Sequence, residues 1–156
     1  MTLAVSTAIS TALDGRNRPV MPDRLNGIRK DSSPALSKRA EQLRTNARSG
    51  GGDRRADIAW YGNGDTTYTV TAYYSVQADV AEKFSHLGLA RTEKAFGHVQ
   101  CAYSPAVDRL PEGTFSICLR QGSRGYVELM QLYTDGPLSE LAALTNDVWS
   151  AQPFAD

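Results

Sequence analysis

Two cysteines in strand-like segments constrain the fold of this chain more than any other sequence feature. Cys101 lies in the extended run Val99–Tyr103, and Cys118 lies in the run Thr114–Leu119. The segment between these runs contains two prolines and a glycine, which interrupt both helix and strand. We therefore predict two antiparallel strands joined by a loop, with the cysteine side chains facing each other across the pair.

Three further strands are predicted from the pattern of apolar and β-branched residues. One runs from Tyr126 to Tyr133, after a glycine-containing turn at residues 121–125. Two others, Asp57–Tyr61 and Thr66–Tyr74, flank the turn sequence Gly62-Asn63-Gly64-Asp65 and predict a β-hairpin.

Three helices are predicted around the strands. Ser33 as N-cap and Pro34 at the first helical position begin a helix that the glycines at 50–52 end. A second helix covers roughly Gln77–His86, and a third covers about Leu138–Ala151. The order helix, two strands, helix, three strands, helix predicts an α+β fold, with helices packed on an antiparallel sheet of about five strands.

For the second and third helices, the sequence also predicts the residues that face the core, and for the second helix it predicts the residues at its two ends. For the second, Ser75 is the expected cap, Val80, Phe84 and Leu87 form the expected buried face, and Gly88 is expected at the C-terminal end. For the third, the expected core face is Leu138, Leu141, Ala142, Thr145, Val148 and Trp149.

The first 33 residues are expected to lie outside the folded domain, which we assign to residues 34–156. Met1–Leu13 is apolar but shorter than the roughly 20 residues that span a bilayer. It resembles the remnant of a signal peptide or membrane anchor; the alternative is a frayed N-terminus. The basic residues that follow argue against export. Residues 18–33 are expected to be a linker that enters the domain near Leu25 and Ile28.

Charge is distributed unevenly along a chain whose net charge is zero. Residues 16–55 contain eleven basic and four acidic side chains, whereas residues 56–156 contain six basic and twelve acidic ones. Because the total is neutral, no nucleic-acid partner is expected. The basic segment is either a solvated surface or a contact for an anionic surface.

The cysteine pair has two main interpretations. In an oxidising compartment Cys101 and Cys118 form a structural disulfide, which we favour; in a cytosol they are two buried thiols. A redox-active pair is disfavoured because the sequence has no Cys-x-x-Cys motif. A metal site is not expected, because the cysteines and His86 and His98 lack zinc-finger spacing.

No catalytic motif is evident, and we expect a protein that is not an enzyme and has no cofactor. His86 is expected at a helix end and His98 at the start of a strand, and neither has an obvious nucleophile partner. Asp108 and Glu112 share a loop, where carboxylates are usually solvated. The seven tyrosines lie on or beside predicted strands, where they stabilise a sheet or, as the alternative, form a binding surface.

Several stretches together resemble the extracytoplasmic domains of small membrane-anchored or secreted actinobacterial proteins of unknown function. These stretches are Met21-Pro22-Asp23-Arg24-Leu25-Asn26-Gly27, the pair Cys101 and Cys118, and Leu141-Ala142-Ala143-Leu144-Thr145-Asn146-Asp147-Val148. The chain departs from that family at its N-terminus, where a full membrane segment is absent. The resemblance implies an envelope location but neither a reaction nor a ligand.

Three functions remain open from the sequence. The first is a non-enzymatic extracytoplasmic domain, secreted or tethered through its N-terminus, that binds or senses a protein or another envelope component. The second is a cytosolic binding or regulatory protein that contacts an anionic surface through residues 16–55. The third, a small hydrolase, would need a cluster of groups around His86 or His98 that the sequence does not reveal.

Overall fold

The computed structural model describes residues 18–63, 65–89, 92–104, 115–132 and 137–156, and these residues form the predicted α+β architecture. The strands are β1 (Arg24–Leu25), β2 (Ile28–Arg29), β3 (Arg55–Asn63), β4 (Asp65–Tyr74), β5 (Lys94–Phe96), β6 (Val99–Ser104), β7 (Phe115–Gln121) and β8 (Gly125–Leu132). The helices are α1 (Pro34–Ser49), α2 (Val80–His86) and α3 (Leu138–Ser150).

Six strands form one antiparallel sheet in the order β3-β4-β8-β7-β6-β5. The sixth strand is β5, which lies in a stretch, Leu89–Gly97, whose sequence fits a loop as well as a strand. β1 and β2 form a separate two-stranded hairpin that the sequence did not predict. Its turn residues, Asn26 and Gly27, both have positive φ angles, 50° and 78°.

The main core lies between one face of the sheet and α3. The expected face of α3 is confirmed: Leu141, Ala142, Thr145, Val148 and Trp149 are buried, and Leu138 is partly buried. The sheet contributes its inward-facing residues at every second position, as the pleat requires. They include Ala59, Tyr61, Tyr68, Val70, Ala72, Val127 and Leu129, together with Cys101 and Cys118.

α1 begins at Pro34, as predicted, and its C-cap is Gly50. Ser33 occupies the N-cap position but makes no side-chain capping bond. The helix packs against β3, the edge strand of the sheet, with Ala40 only 5% exposed. Arg44 anchors the helix to this strand, because its Nε donates a 3.0 Å hydrogen bond to Asp57 Oδ1.

α2 differs from its prediction in two respects. Ser75 is not its cap; the cap is Asp79, whose Oδ1 accepts the backbone N–H three residues later at 3.0 Å. Leu87, expected in the core, is 44% exposed, and Leu89 is buried instead. Gly88 follows the end of α2 and has a φ of +73°. In this left-handed conformation the chain changes direction and leaves the helix.

The segment expected to be a linker contacts the domain along much of its length. Leu25 is 4% exposed and belongs to the main core, against which Met21 and Ile28 also pack. Lys30 forms an isolated β-bridge with Tyr61 on the outer edge of β3. Met1–Leu13 lies outside the described residues, and among the helices that are described, none is long and apolar enough to cross a membrane.

Candidate functional site

Cys101 and Cys118 face each other across β6 and β7, as predicted, and are joined by a disulfide. Their Cα atoms are 4.1 Å apart, and both residues are completely buried on the side of the sheet covered by α3. The disulfide is therefore enclosed in the main core, where it is out of reach of a soluble redox partner.

The two histidines are far from forming a catalytic cluster. His86 is exposed in the last turn of α2, and His98 is exposed in the turn that connects β5 to β6. In the described part of the chain, neither forms a hydrogen bond with a nucleophile or a carboxylate. The same residues contain no group of three or more histidine, cysteine, aspartate or glutamate side chains arranged to hold a metal. Asp108 and Glu112 lie outside the described residues.

An open hollow of about 430 Å³ lies beside α2 and is lined in part by Lys83, His86, Leu87 and Tyr126. Lys83 forms an ion pair with Glu128 of β8 and lies 5.6 Å from the centre of the Tyr126 ring. These contacts attach α2 to the sheet. The hollow is open, and the ammonium group of Lys83 is already paired with Glu128.

Three of the tyrosines, Tyr61, Tyr73 and Tyr126, make contacts within the sheet or between the sheet and the segment before it. Tyr73 and Tyr126 stack with ring centres 4.6 Å apart, and burial raises the pKa of both hydroxyls. Tyr61 is fully buried, and its hydroxyl donates a 2.6 Å hydrogen bond to the Pro22 carbonyl. Burial, followed by the nearby carboxylates of Asp23 and Asp57, also raises the pKa of Tyr61.

A more enclosed cavity, here called the α1–β3 cleft, lies between α1 and the outer edge of β3. Its volume is about 260 Å³. Leu36, Ser37 and Ala40 form the helix wall, and residues 58–60 form the strand wall. Lys30, Asp31, Arg44 and Asp57 add charged groups around this mixed lining. Apolar walls with a few convergent polar groups are typical of ligand-binding sites.

The cleft is bounded at one end by the Arg44–Asp57 ion pair. Arg44 also contacts Glu41 through Nη1 at 3.1 Å. On the other side of this pair is a much smaller hollow of about 20 Å³, lined in part by Arg18, Arg48 and Arg55. Residues from the basic segment 16–55 are therefore gathered next to the cleft.

The sequence did not reveal the cleft, although it identified the strand and the helix that form it. The periodicity of apolar residues predicts secondary structure. It does not predict where a helix packs relative to a sheet edge, because that depends on tertiary contacts. The one available signal was the close succession of Lys30, Asp31 and Ser33, polar residues directly before a predicted helix.

Comparisons with known proteins identify no relative. No family model matches the chain, and neither a characterised protein nor a solved structure is significantly similar to it. The resemblance to actinobacterial extracytoplasmic domains therefore stays a prediction. Any function has to be argued from the disulfide, the α1–β3 cleft and the surrounding charge.

Proposed function

We propose that this chain is a non-enzymatic extracytoplasmic domain, secreted or tethered to a membrane, that binds a partner at the cell envelope. The observation that carries the proposal is the buried disulfide between Cys101 and Cys118. Structural disulfides persist in oxidising compartments and are rare in the cytosol, where thiols are kept reduced.

The α1–β3 cleft supports the binding part of the proposal. It combines the apolar wall of Leu36 and Ala40 with the charged groups of Lys30 and Arg44. His86 and His98 do not line this cleft. Within the described part of the chain they lack the hydrogen-bonded partners that general acid–base or nucleophilic catalysis uses. The α1–β3 cleft is therefore better suited to binding a partner than to catalysing a reaction.

The compartment is tested by the redox state of the protein isolated from its own host without reductant. Intact mass is measured after thiol alkylation under native conditions, after unfolding, and after unfolding with reduction. We expect alkylation of Cys101 and Cys118 only after reduction. Alkylation of the unfolded chain without reductant would show free thiols and would contradict the extracytoplasmic proposal. A chain carrying Cys101→Ser and Cys118→Ser is the control for nonspecific modification.

A second candidate function is a cytosolic protein that contacts an anionic surface through residues 16–55. The observation that favours it is the grouping of Arg18, Arg48 and Arg55 around one hollow. Sedimentation with vesicles containing phosphatidylserine tests it, since electrostatic binding weakens as salt is raised. An absence of binding at low salt would remove this candidate.

A further inference from the structure

We infer that a group of arginines at the C-terminal end of α1 binds the phosphate groups of an anionic phospholipid surface. This group, here called the arginine patch, consists of the exposed residues Arg18, Arg48 and Arg54, with the half-buried Arg55 beside them. The inference rests on the membrane-tethered form of the proposed function. It gives the envelope partner a chemical class and identifies the surface that contacts it.

The arginines of the patch come from separate segments of the fold. Arg18 belongs to the segment before β1, Arg48 lies in the last turn of α1, and Arg55 begins β3. These three line the small hollow of about 20 Å³. Arg54 reaches the same end of α1, because its Nη1 would lie 3.1 Å from a Cβ at the C-cap residue Gly50. Tertiary structure therefore brings these positive charges together.

The residues that follow Arg18 hold its backbone at the patch. Pro19 is buried, and Val20 forms two hydrogen bonds with the side chain of Gln152, after the end of α3. The backbone at Arg18 is thus positioned before any partner binds, although the side chain is exposed. A group that is already positioned loses less conformational freedom on binding, which favours affinity.

Few carboxylates neutralise the patch. Asp57 is the one acidic residue that lines the hollow, and its Oδ1 already accepts a hydrogen bond from Arg44 Nε at 3.0 Å. Asp53 is exposed in the turn before β3. Among the described residues, the three exposed arginines of the patch form no ion pair. Since like charges at one site repel each other, an anionic partner would relieve this repulsion.

The end of the helix explains only part of the arrangement. The C-terminal end of an α-helix carries about half an elementary negative charge, which favours a basic side chain in the last turn. This effect accounts for Arg48 but not for Arg18, which lies outside the helix. The charges of the three exposed arginines also exceed the partial charge of the helix end, so the patch attracts anions.

The position of Arg18 favours a membrane over other anionic partners. A tether formed by the preceding residues reaches the described domain at Arg18, and so keeps the patch close to the membrane surface. Met1–Leu13 is apolar but shorter than the roughly 20 residues that span a bilayer. Weak membrane anchors become stable when a basic patch provides a second attraction.

The charge of the rest of the chain also fits a surface contact. Residues 56–156 contain six basic and twelve acidic side chains, and the whole chain is neutral. A neutral chain is not drawn to a polyanion over long distances. At a membrane, in contrast, charges act within a Debye length, about 8 Å at physiological salt. The arginines of the patch can therefore contact phosphate groups while more distant acidic residues are screened.

The test measures sedimentation of the full chain with phosphatidylcholine vesicles that contain or lack phosphatidylglycerol. We expect binding to the vesicles with phosphatidylglycerol, and we expect it to weaken as sodium chloride is raised. Equal binding to both kinds of vesicle, or to neither, would overturn the inference. Binding to a DNA duplex but not to the vesicles would also overturn it, because the partner would then not be a membrane.

Arg48→Gln and its matched control Arg39→Gln locate the contact. Arg48→Gln removes one charge from the patch and should weaken binding about fivefold. Arg39 is also exposed but lies on the opposite side of α1, because nine residues span about two and a half helical turns. Arg39→Gln should weaken binding by less than about twofold. Equal losses in the two variants would show that total charge, rather than the patch, determines binding, and would overturn the inference.

Two further variants test the mechanism, with circular dichroism confirming that each is folded. A chain with both Arg18→Gln and Arg48→Gln should bind about 25-fold more weakly than the natural chain, since each change removes one charge. Arg48→Lys should bind about as well as the natural chain, because the positive charge is kept. Loss of binding in Arg48→Lys would overturn the electrostatic mechanism.

The vesicle measurements and the alkylation experiment can fail separately, because the former use purified protein and do not depend on the compartment. Oxidised cysteines without vesicle binding would leave the extracytoplasmic proposal standing and overturn this inference. Patch-dependent vesicle binding by a chain with free thiols would leave the lipid-binding surface standing and favour the cytosolic candidate.

Discussion

Gln152 and Val20 are joined by two hydrogen bonds, although 132 residues separate them in the sequence. Val20 N–H donates to Gln152 Oε1, and Gln152 Nε2 donates to the Val20 carbonyl, both at 2.8 Å. The amide side chain thus pairs with the backbone as a neighbouring strand would. This contact fastens the segment before β1 to the end of α3.

We expect Gln152→Ala to lower the free energy of unfolding by about 1–3 kcal/mol, because it removes both side-chain hydrogen bonds to the Val20 backbone. Gln152 is only 4% exposed, and its Nε2 also donates to the Val148 carbonyl. Urea unfolding followed by tryptophan fluorescence measures the change. Gln42→Ala is the control: Gln42 is exposed on α1, and its substitution should alter stability by less than about 0.5 kcal/mol.

Removing the disulfide should also destabilise the domain. The bond closes a loop with a sequence separation of 17, for which chain entropy gives about 3 kcal/mol. We expect a chain with Cys101→Ala and Cys118→Ala to unfold at a lower urea concentration than the oxidised protein. Reductant should shift the midpoint of the natural chain but leave that of the double variant unchanged. A reduced natural chain, verified by mass, with an unaltered midpoint would contradict this expectation.

Gly125→Ala should be among the most damaging small substitutions. A Cβ at this position would collide with the Tyr73 carbonyl oxygen and lie 3.1 Å from Phe154 Cε2. Since Gly125 pairs with Tyr74, relief of the collision would separate β8 from β4. We expect a loss of about 3 kcal/mol or more, measured by thermal unfolding.

Gly50→Ala is the matched control for the glycine substitution. A Cβ at Gly50 would meet the Arg54 Nη1 at 3.1 Å, and this side chain end is free to move aside. Gly50 also has an ordinary φ of −70°. A variant as unstable as Gly125→Ala would show that loss of glycine itself, rather than the collision in the sheet, is responsible.

Stability should decline in alkaline solution. Burial raises the pKa of Tyr61, Tyr73 and Tyr126 above the ordinary value of 10.0. Unfolded tyrosines therefore lose their protons at a lower pH than the folded ones. Stability is retained below about pH 10 and is lost as the pH rises towards the folded-state pKa values.

Urea midpoints measured between pH 8 and about pH 11.5 check this expectation. Tyr126→Phe should flatten the decline, because one group with a raised pKa is removed. An identical decline in this variant would assign the alkaline sensitivity to other groups. The comparison is made between slopes rather than absolute stabilities, since the lost hydroxyl also affects the contact with Tyr73.

The elements that were predicted correctly are those with long and unambiguous patterns. β4 alternates regularly over ten residues, and α3 repeats its apolar face over thirteen. The pairing of Cys101 with Cys118 followed from two strands separated by turn-forming residues. These are local signals, and no competing interaction in the structure overrides them.

The features that were missed depend on contacts between distant residues. β1 and β2 have two residues each, too few for any periodicity, and form because Leu25 and Ile28 pack on the core. α2 begins at Val80 rather than near Gln77, because Asp79 provides the cap. The α1–β3 cleft arises only when α1 is placed beside β3.

The disulfide makes residues 101–118 a closed covalent ring within an otherwise linear molecule. A single proteolytic cut inside this ring leaves both parts of the domain attached to each other. The strands on either side, β6 and β7, stay in register through six paired positions and the bond at Cys101. In a domain proposed to lie outside the cytoplasm, a cut in the segment between β6 and β7 therefore does not by itself release either half of the chain.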